Sequence, residues 1–490
     1  MAQFEIKNGV AIIPEGTTKF GSRAFRGCTS LTSITIPASV TEIGMTAFQD
    51  CTSLKSVTIS ESVKEIGCEA FKGCWLLDNI VVAEGNPKYD SREGCNAIIE
   101  TATNTLIAGC KATVIPESVT VIGRAAFSNY TRLKSIIIPE GVTEIKKNAF
   151  EGCISLESIT IPESVTVIGE GAFKGCTRLK SIKIPSVTEI GYEAFEGCTS
   201  LESITIPKVI EIGQSAFWEC TSLKSITIPE SVTEIGYWAF SGCTSLKSIT
   251  IPNSVTEIKN NALEGCISLE SITIPESVTE IGDDAFRGCT SLENITLPDS
   301  ITQLGSNSFK DCTSLKNIAL PKGLKRLGCH TFENCSALES VDLAGVTTIE
   351  AFAFVNCNSL KSIDLKKVSV LDDYAFVDAV GLESIVIPGS VKSVGDNAFS
   401  KCTSLKSVVI ERNVRTTTKL LDDVFFRCSA LTTITIPKSV VLCKERRGLL
   451  ATDAKYSIFY GCTSLKEIHG NRGHLESILP EPFHQLIVEK

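Results

Sequence analysis

The segment Cys220-Thr-Ser-Leu-Lys-Ser-Ile-Thr-Ile-Pro-Glu-Ser-Val-Thr-Glu-Ile-Gly-Tyr-Trp-Ala-Phe-Ser-Gly242 is one copy of a unit that returns every 22 or 23 residues along most of the chain. Its first position occurs in eighteen registers, and sixteen of them keep the cysteine. These positions are Cys28, Cys51, Cys74, Tyr130, Cys153, Cys176, Cys198, Cys220, Cys243, Cys266, Cys289, Cys312, Cys335, Cys357, Ala379, Cys402, Cys428 and Cys462. Such regularity indicates a solenoid of stacked copies.

Each position of the unit has a physical assignment. The run Ser225-Ile226-Thr227-Ile228 alternates polar and apolar residues, which is typical of a half-buried strand. Pro229 ends that strand because it has no N–H for the next ladder hydrogen bond. Gly236 is expected to supply the permissive backbone of a turn. Phe240 and Cys243 are expected to close the coil against the core.

One coil cannot bury its apolar face alone, so neighbouring coils must stack with like residues above like. The sequence therefore predicts a β-rich solenoid of the leucine-rich-repeat type, with about 18 coils of 22–23 residues. We expect a parallel β-sheet on its concave face and short strands and turns on its convex side. The prediction is a single solenoid over residues 1–490.

Three stretches break the period: residues 83–112, 411–424 and 438–458. The first contains a polar loop and two apolar runs, which predict a small hairpin packed on the solenoid. The tail, residues 468–490, loses the repeat and is expected to form a terminal cap.

Composition excludes several classes of function. Hydrophobic residues make up 43% and charged residues 21% of the chain, which is typical of a globular protein rather than a disordered one. The net charge of −9 comes from interleaved signs, so no basic stripe invites nucleic acid. No stretch of about 18 uncharged apolar residues occurs, so we expect no membrane insertion. The start of the chain lacks the pattern of a signal peptide, which fits either an intracellular protein or a removed leader.

The unit Ser-Ile-Thr-Ile-Pro-x-Ser-Val-Thr-x-Ile-Gly-x-x-Ala-Phe-x-Gly-Cys resembles the BspA-like class of bacterial leucine-rich repeats. The insert Asn86-Pro87-Lys88-Tyr89-Asp90-Ser91-Arg92, followed by Cys95-Asn96-Ala97-Ile98-Ile99, is similar to a loop common in gut-bacterial members. The resemblance covers nearly the whole chain. It implies a surface-associated or secreted, adhesin-like protein that contacts host matrix proteins or other microbes. The chain departs from that picture because it shows no leader, lipid anchor or sorting tail.

The 21 cysteines suggest disulfides at first sight. Stacked neighbours would lie within nominal disulfide reach, but their Cβ vectors would run parallel into the core. We therefore expect a reduced ladder of small apolar side chains, consistent with a reducing or anaerobic setting. Cys95 and Cys110 share the insert, and their pairing is the alternative at that place.

Metal binding and catalysis find little support. Cys329, His330 and Cys335 form one suggestive cluster, and His469 with His474 forms another, but neither has the paired spacing of a zinc site. No phosphate-binding loop, His-Glu-x-x-His pattern or calcium loop occurs. We therefore predict a chain that is not an enzyme and needs no cofactor or metal.

The predicted concave face leaves a candidate binding surface. Two columns of hydroxyl side chains run along it, and a third column beside them changes sign between Glu and Lys. The clearest hydroxyl positions are Ser203, Thr205, Ser225, Thr227, Ser248, Thr250, Ser271 and Thr273. They are either merely solvated strand residues or a docking surface, since hydroxyl groups lose their water more cheaply than charges do.

Deviations from the columns are more informative. Asp342 and Asp364 replace threonine in adjacent repeats, and Lys366 stands where proline is usual. This patch is either a partner site or drift of the repeat. Tyr89 and Arg92, in the insert, are residue types favoured at interfaces.

The leading hypothesis is a monomeric, non-enzymatic module that binds proteins at a cell surface or after secretion, through the concave face and the inserted loop. An intracellular scaffold is the alternative, because of the missing leader and the reduced cysteines. A glycan-binding module is a third hypothesis, which the scarcity of aromatic residues on the predicted face disfavours.

Overall fold

The computed structural model describes residues 4–415, 417–443 and 458–489. The described chain is a parallel β-solenoid of about 20 turns, which confirms the predicted fold class. Its coils form two compact units, Met1–Leu246 and Lys247–Lys490, and each unit is described by itself. Most of the irregular stretch predicted at 438–458 lies outside the described residues.

Each regular coil contains a front strand, which holds the Ser-Ile-Thr part of the repeat. In the first unit the front strands are Val10–Ala11, Ser33–Thr35, Ser56–Ile59, Asn79–Val82, Ser135–Ile137, Ser158–Thr160, Ser181–Lys183, Ser203–Thr205 and Ser225–Thr227. In the second unit they are Ser248–Thr250, Ser271–Thr273, Asn317–Ala319, Ser340–Asp342, Ser384–Ile387, Ser407–Ile410, Thr433–Thr435 and Glu467–Gly470.

A shorter second strand follows in each coil and holds the Glu-Ile part of the repeat. In the first unit these strands are Lys19–Phe20, Glu42–Ile43, Glu65–Ile66, Val121–Ile122, Glu144–Ile145, Val167–Ile168, Glu189–Ile190, Glu211–Ile212 and Glu234–Ile235. In the second unit they are Glu257–Ile258, Glu280–Ile281, Gln303–Leu304, Arg326–Leu327, Thr348–Ile349, Val370–Leu371, Ser393–Val394, Thr418–Leu420 and Val440–Leu442.

The front strands pair in parallel and in register. Ile204 lies beside Ile226, and both are buried, whereas the flanking serines and threonines are exposed. This arrangement confirms the predicted alternation, in which one face of the strand packs on the core. Because the register places like residues side by side, every inward position becomes a ladder along the unit.

The phenylalanine ladder shows how well the coils repeat. Phe195 stacks on Phe173 and on Phe217 with ring centroids 5.4 Å apart in both pairs and interplanar angles of 5° and 2°. These centroid distances lie within the favoured range of about 4.5–7 Å for offset-stacked rings. All three side chains are fully buried, so this ladder contributes a large share of the apolar core.

The cysteine ladder has a polar function in addition to its packing. The Cys198 thiol donates to the main-chain carbonyl of Phe173, 3.2 Å away in the preceding coil, and the same bond recurs along both units. Burial raises the pKa of the Cys198 thiol to about 12, so the group stays protonated and remains a donor. Cys95 and Cys110 are free thiols as well, and they donate to the separate carbonyls of Ala97 and Asn96.

The structure corrects the role assigned to Gly236. Its φ angle is not among the positive ones, which belong instead to Trp238 and Gly242 in the same coil. A Cβ atom on Gly236 would lie 2.5 Å from the main-chain nitrogen of Gln214 in the preceding coil. Glycine at position 236 therefore accommodates a close approach of two backbones and does not serve a left-handed turn.

The insert folds as three short antiparallel strands, Tyr89–Asp90, Ile98–Glu100 and Thr105–Ala108, with a 3-10 turn at Arg92–Gly94. The middle strand pairs with both of the others. The last of the three pairs in parallel with Val121–Ile122. The predicted hairpin is therefore not a layer packed on the solenoid. It belongs to the sheet of second strands, where Thr105–Ala108 takes the place of a coil's second strand.

Non-repeating elements cover the outermost coils. Near the N-terminus Ile6–Lys7 pairs antiparallel with Val10–Ala11. Near the C-terminus a helix, Arg472–Ile478, and a 3-10 helix, Glu481–Leu486, lead to the strand Ile487–Glu489, which pairs in parallel with the last front strand. These segments cover strand edges that would otherwise expose unpaired main-chain groups.

Candidate functional site

The front sheet of each unit carries the predicted hydroxyl columns. In the first unit Ser203 lies beside Ser225, and Thr205 lies beside Thr227, with all four side chains exposed. In the second unit the equivalent exposed residues are Ser248, Thr250, Ser271 and Thr273, paired in the same register. The hydroxyl groups therefore form ordered rows that a partner could contact through hydrogen bonds.

The charged column beside the hydroxyls neutralises itself. The Lys224 ammonium lies 2.7 Å from a carboxylate oxygen of Glu202, and this hydrogen bond lowers the pKa of the Glu202 carboxyl. The other pairs of this column are Lys247 with Glu270, Lys316 with Glu293, and Lys406 with Glu383. Because each of these pairs joins opposite charges, these stretches of the front face present little net charge.

The threonine column is interrupted at Asp342 and Asp364, and each of these carboxylates accepts a main-chain hydrogen bond. Asp342 accepts a hydrogen bond from the main-chain N–H of Ala344 at 2.9 Å, and Asp364 accepts one from the N–H of Lys366 at 3.0 Å. Such bonds make a side chain stabilise the turn that follows it. The two aspartates therefore stabilise turns where most other coils place a proline.

Lys366 adds a positive charge to the same turn. Its ammonium lies 3.1 Å from the second carboxylate oxygen of Asp364. The N–H of Lys366 and then this ammonium lower the pKa of the Asp364 carboxyl, which therefore stays ionised at neutral pH. Both side chains remain largely open to solvent, at 66% and 85% exposure for Asp364 and Lys366. The pair is accessible to a partner.

Two adjoining depressions flank this pair, and we call them together the Asp364 groove. The first has a volume of about 520 Å³ and the second about 420 Å³. Both are lined by Asp364 and Lys366. The further polar residues that line them are Ser340, Asp342, Lys367, Ser362, Ser384 and Glu411. The structure therefore brings Asp342, Asp364 and Lys366 together, as their adjacent repeats suggested.

The groove coincides with two short turns and a gap in the front sheet. The turns Leu343-Ala-Gly-Val346 and Leu365-Lys-Lys-Val368 are one residue shorter than the usual Ile-Pro-x-Ser-Val turn. Residues 362–364 between them form no strand, which interrupts the front sheet beside Ser340–Asp342. Sequence reasoning missed Lys367 and the serines of the groove, because the 22-residue spacing of Cys335, Cys357 and Ala379 also occurs at Cys176, Cys198 and Cys220, where the front strands continue.

Two predicted contact residues in the insert have structural roles. Tyr89 is only 3% exposed, and its hydroxyl accepts a hydrogen bond from the N–H of Ile66 at 3.1 Å, so its prediction as a surface contact is wrong. Arg92 binds both carboxylate oxygens of Asp90, at 2.8 and 2.7 Å, and also donates to Asn104 and Ser118. Its guanidinium therefore stabilises the insert and leaves few donors for a partner.

The suggestive cysteine and histidine clusters have other partners. Cys335 donates to the carbonyl of Phe309 at 3.1 Å, and His330 stacks on Phe352 with a centroid distance of 4.7 Å. Within residues 4–415, 417–443 and 458–489, no group of three or more His, Cys, Asp or Glu side chains could hold a metal ion.

Comparison with known families assigns the chain. The family model described as BspA type leucine rich repeat region, 6 copies, matches residues 5–103, 107–223, 210–339, 256–381 and 330–446. The chain belongs to the BspA-type leucine-rich repeat family. That membership confirms the resemblance found in the sequence, and leucine-rich repeat proteins generally bind other proteins. No curated protein matches the sequence.

Two solved structures are similar to this chain to different degrees. A leucine-rich repeat protein from Bacteroides ovatus is 26% identical to this BspA-type chain, with a TM-score of 0.54 over 96% of this chain and 97% of that one. A leucine rich cell surface protein from Faecalibacterium prausnitzii is 21% identical, with a TM-score of 0.32 over 92% of this chain and 90% of that one. In the residues that the structure describes, no helix has the length and apolar composition to cross a membrane.

Proposed function

We propose that this BspA-type chain is a non-enzymatic module that holds a partner protein against its front sheet, with the Asp364 groove as the principal contact. The observation that carries the proposal is a cluster of charged side chains on a front face that carries hydroxyl rows elsewhere in the same unit. There, two exposed aspartates and a lysine surround adjoining depressions. Concave sites with a few well-placed polar groups are where proteins most often bind ligands.

The groove also fits what a protein partner needs. Val386 lines the second depression and is 49% exposed, so an apolar side chain of a partner can be buried there. Asp364 and Lys366 offer charges of both signs at its edge, which favours a partner with complementary charges. The hydroxyl rows add hydrogen-bond partners whose dehydration costs less than that of charges.

We propose further that the module acts at a bacterial surface or after secretion, as an adhesin-like protein that contacts host or microbial proteins. Family membership supports this location. The alternative is an intracellular scaffold, which the free, buried thiols of the cysteine ladder favour. Fractionation of the native organism separates the two, since an adhesin is found in the surface or secreted fraction and a scaffold in the cytoplasm.

A variant that restores the repeat tests the binding site. Asp342→Thr, Asp364→Thr and Lys366→Pro together give turns with the usual residues, and the short turn Ile206-Pro-Lys-Val209 shows that proline fits a coil of this length. Surface plasmon resonance would compare the variant with the parent chain against purified fibronectin, laminin and collagen and against surface proteins of other bacteria. We expect the variant to lose binding at least about tenfold, since a truncated contact at an interface centre costs about 2 kcal/mol or more.

The matched control removes the same charges elsewhere on the front face of the same unit, through Glu270→Gln, Glu293→Gln and Lys316→Gln. We expect the control to bind like the parent chain. Binding that survives the groove variant, or that the control abolishes equally, would reject the groove as the contact. A failure of the parent chain to bind any protein would reject the function itself.

A further inference from the structure

A second concave site opens in the first unit where the insert replaces a coil. This cleft has a volume of about 440 Å³, within the range of roughly 300–1,000 Å³ typical for ligand pockets. One wall is the turn at residues 66–72, and the other consists of the insert strand Thr105–Ala108 and the turn at residues 121–126. The cleft shares no residue with the Asp364 groove.

The ladder of main-chain hydrogen bonds is interrupted in this cleft. In the preceding coil, the N–H of Thr46 donates to the carbonyl of Cys68 at 3.1 Å, and the N–H of Phe48 donates to that of Ala70 at 2.8 Å. The equivalent donors of the next coil belong to Glu69 and Phe71. In the part of the chain that the structure describes, neither of these N–H groups has an acceptor.

The turn itself is unchanged, so the two donors keep the direction that they have in other coils. Glu69 has a φ angle of 60°, close to the 53° of Thr46. Glu69 and Phe71 line the cleft on the side where the equivalent N–H groups of Thr46 and Phe48 donate to the next coil. Phe71 is only 3% exposed, and a buried main-chain N–H without an acceptor is costly.

The interruption spans two donors and then ends. The carbonyl of Ala126, which would accept from Phe71, accepts instead from the N–H of Gly109 at 2.9 Å. One step further along the turn, the N–H of Gly73 donates to the carbonyl of Ser128 at 3.0 Å, and the regular ladder resumes. The cleft therefore lacks two acceptors at defined positions.

We propose that this cleft binds a short segment of another protein, whose main-chain carbonyl oxygens accept hydrogen bonds from Glu69 and Phe71. In the neighbouring coil the two acceptors, Cys68 and Ala70, lie two residues apart on one chain. Addition of a peptide to an unpaired main-chain edge is an established mode of recognition. The proposal does not depend on the Asp364 groove.

The spacing of the donors favours a peptide over a small acid. In the regular ladder the two donors bind two separate carbonyl groups, those of Cys68 and Ala70, and Glu69 between them has a φ angle of 60° rather than an extended backbone. A single carboxylate reproduces neither the two peptide carbonyls nor the turn between them. Ile66, Ile107 and Val121 line the cleft, and they favour a small apolar residue between the two carbonyls.

A peptide array tests the site in the full-length chain. The probes are acetylated and amidated tetrapeptides with alanine at the third position, as at Ala70, and asparagine or glycine at the second. These two residues adopt positive φ angles at the lowest cost. We expect some probes to bind with a Kd of about 1 mM or below. Amide exchange in residues 68–72 should then slow at least about tenfold with a bound probe.

Two variants and a control make the test specific. Ile107→Trp fills the cleft from a half-buried position on its wall, and Thr103→Trp fills it from an exposed position at its rim. Ile137→Trp makes the same change as the first variant on a front strand of the same unit, where Ile137 is 82% exposed. We expect either cleft variant that retains the circular dichroism spectrum of the parent to bind the probe at least about tenfold more weakly, and the control to bind it unchanged.

The proposal is overturned if no probe binds at millimolar concentration, or if binding is the same in folded Ile107→Trp and Thr103→Trp chains. It is also overturned if acetate displaces a bound probe at the concentration of the probe itself, since a single carboxylate would then be the sufficient ligand. Binding that is lost in the Ile137→Trp control places the probe elsewhere and likewise overturns it.

Discussion

Tyr130 offers the sharpest test of how the coils stack, because restoring the repeat there should damage the protein. Tyr130 occupies a cysteine position, beside the place where the insert separates two coils. Its hydroxyl reaches the carbonyl of Phe71 at 3.4 Å, a bond that the shorter thiol makes elsewhere in the ladder. The side chain is 2% exposed and packs edge-on against Phe127 at 6.3 Å. We therefore expect Tyr130→Cys to be strongly destabilising.

The magnitude follows from two losses. Removal of a buried ring that leaves a cavity costs about 2–3 kcal/mol when a smaller apolar group remains in its place. The lost hydrogen bond adds about 1 kcal/mol. The carbonyl of Phe71 is not left without a donor, because the N–H of Cys74 also reaches it at 3.2 Å. The sum is about 3–4 kcal/mol, or roughly a 100- to 1,000-fold increase in local opening at about 1.4 kcal/mol per factor of ten.

Hydrogen exchange measures this effect where it occurs, since stability in a solenoid is nearly one-dimensional and a single melting curve averages over many coils. Exchange in residues 68–74 and 125–133 should accelerate in Tyr130→Cys, with little change in distant coils. Tyr130→Phe keeps the ring and should lose only about 1 kcal/mol. Ala379→Cys restores the repeat at the other deviating register and should be close to neutral. A Tyr130→Cys chain as stable as its parent would refute the reasoning.

Three further predictions follow from the same packing. Burial raises the pKa of the Cys198 thiol from 9.0 to about 12, so the unfolded chain loses its thiol protons at a lower pH than the folded chain does. The melting temperature should therefore hold up to about pH 8 and fall above pH 9. A melting temperature that stays constant from pH 7 to 10 would contradict the buried ladder. Gly236→Ala should cost about 1–3 kcal/mol, measured by urea denaturation, since its Cβ would meet the backbone of Gln214; an unchanged midpoint would show that the coils are less closely packed. Arg92→Ala should speed amide exchange across residues 89–104 at least about tenfold, because the guanidinium joins Asp90 to Asn104; unchanged exchange would show that the insert does not need it.

The repeat made much of this fold predictable from the sequence. The alternation at Ile226 and the ladders of Phe240 and Cys243 follow from the repeat period alone. The same residue types return in most of the eighteen registers, so the few exceptions do not hide the pattern. Contacts between coils were not predictable in the same way. The role of Gly236 depends on how closely the preceding backbone approaches, and a single unit does not contain that information. The hydrogen bonds of the thiols likewise depend on carbonyls in another coil.

Outside the repeat, the sequence indicated residue types but not whether their side chains lie inside the protein or on its surface. Tyr89 was predicted as a surface contact from its type, but the insert places its ring inside, with its hydroxyl bonded to Ile66. The Asp364 groove was anticipated in part, since Asp342, Asp364 and Lys366 depart from their columns. Its shape also depends on the missing strand at residues 362–364, which could be seen only in the structure, since the equally short turns at 184–187 and 206–209 keep their front strands. The cleft beside Glu69 had no sequence signal, because its donors are main-chain groups.

Binding of a partner protein to the front sheet at the Asp364 groove should protect the main chain there. Hydrogen exchange of the full chain, with and without a protein partner captured by surface plasmon resonance, tests it most directly. We predict slower exchange in residues 340–346 and 362–368, with no change on the second strands of the same coils. Protection confined to the second strands, or absent from the groove while the partner is bound, would contradict the account.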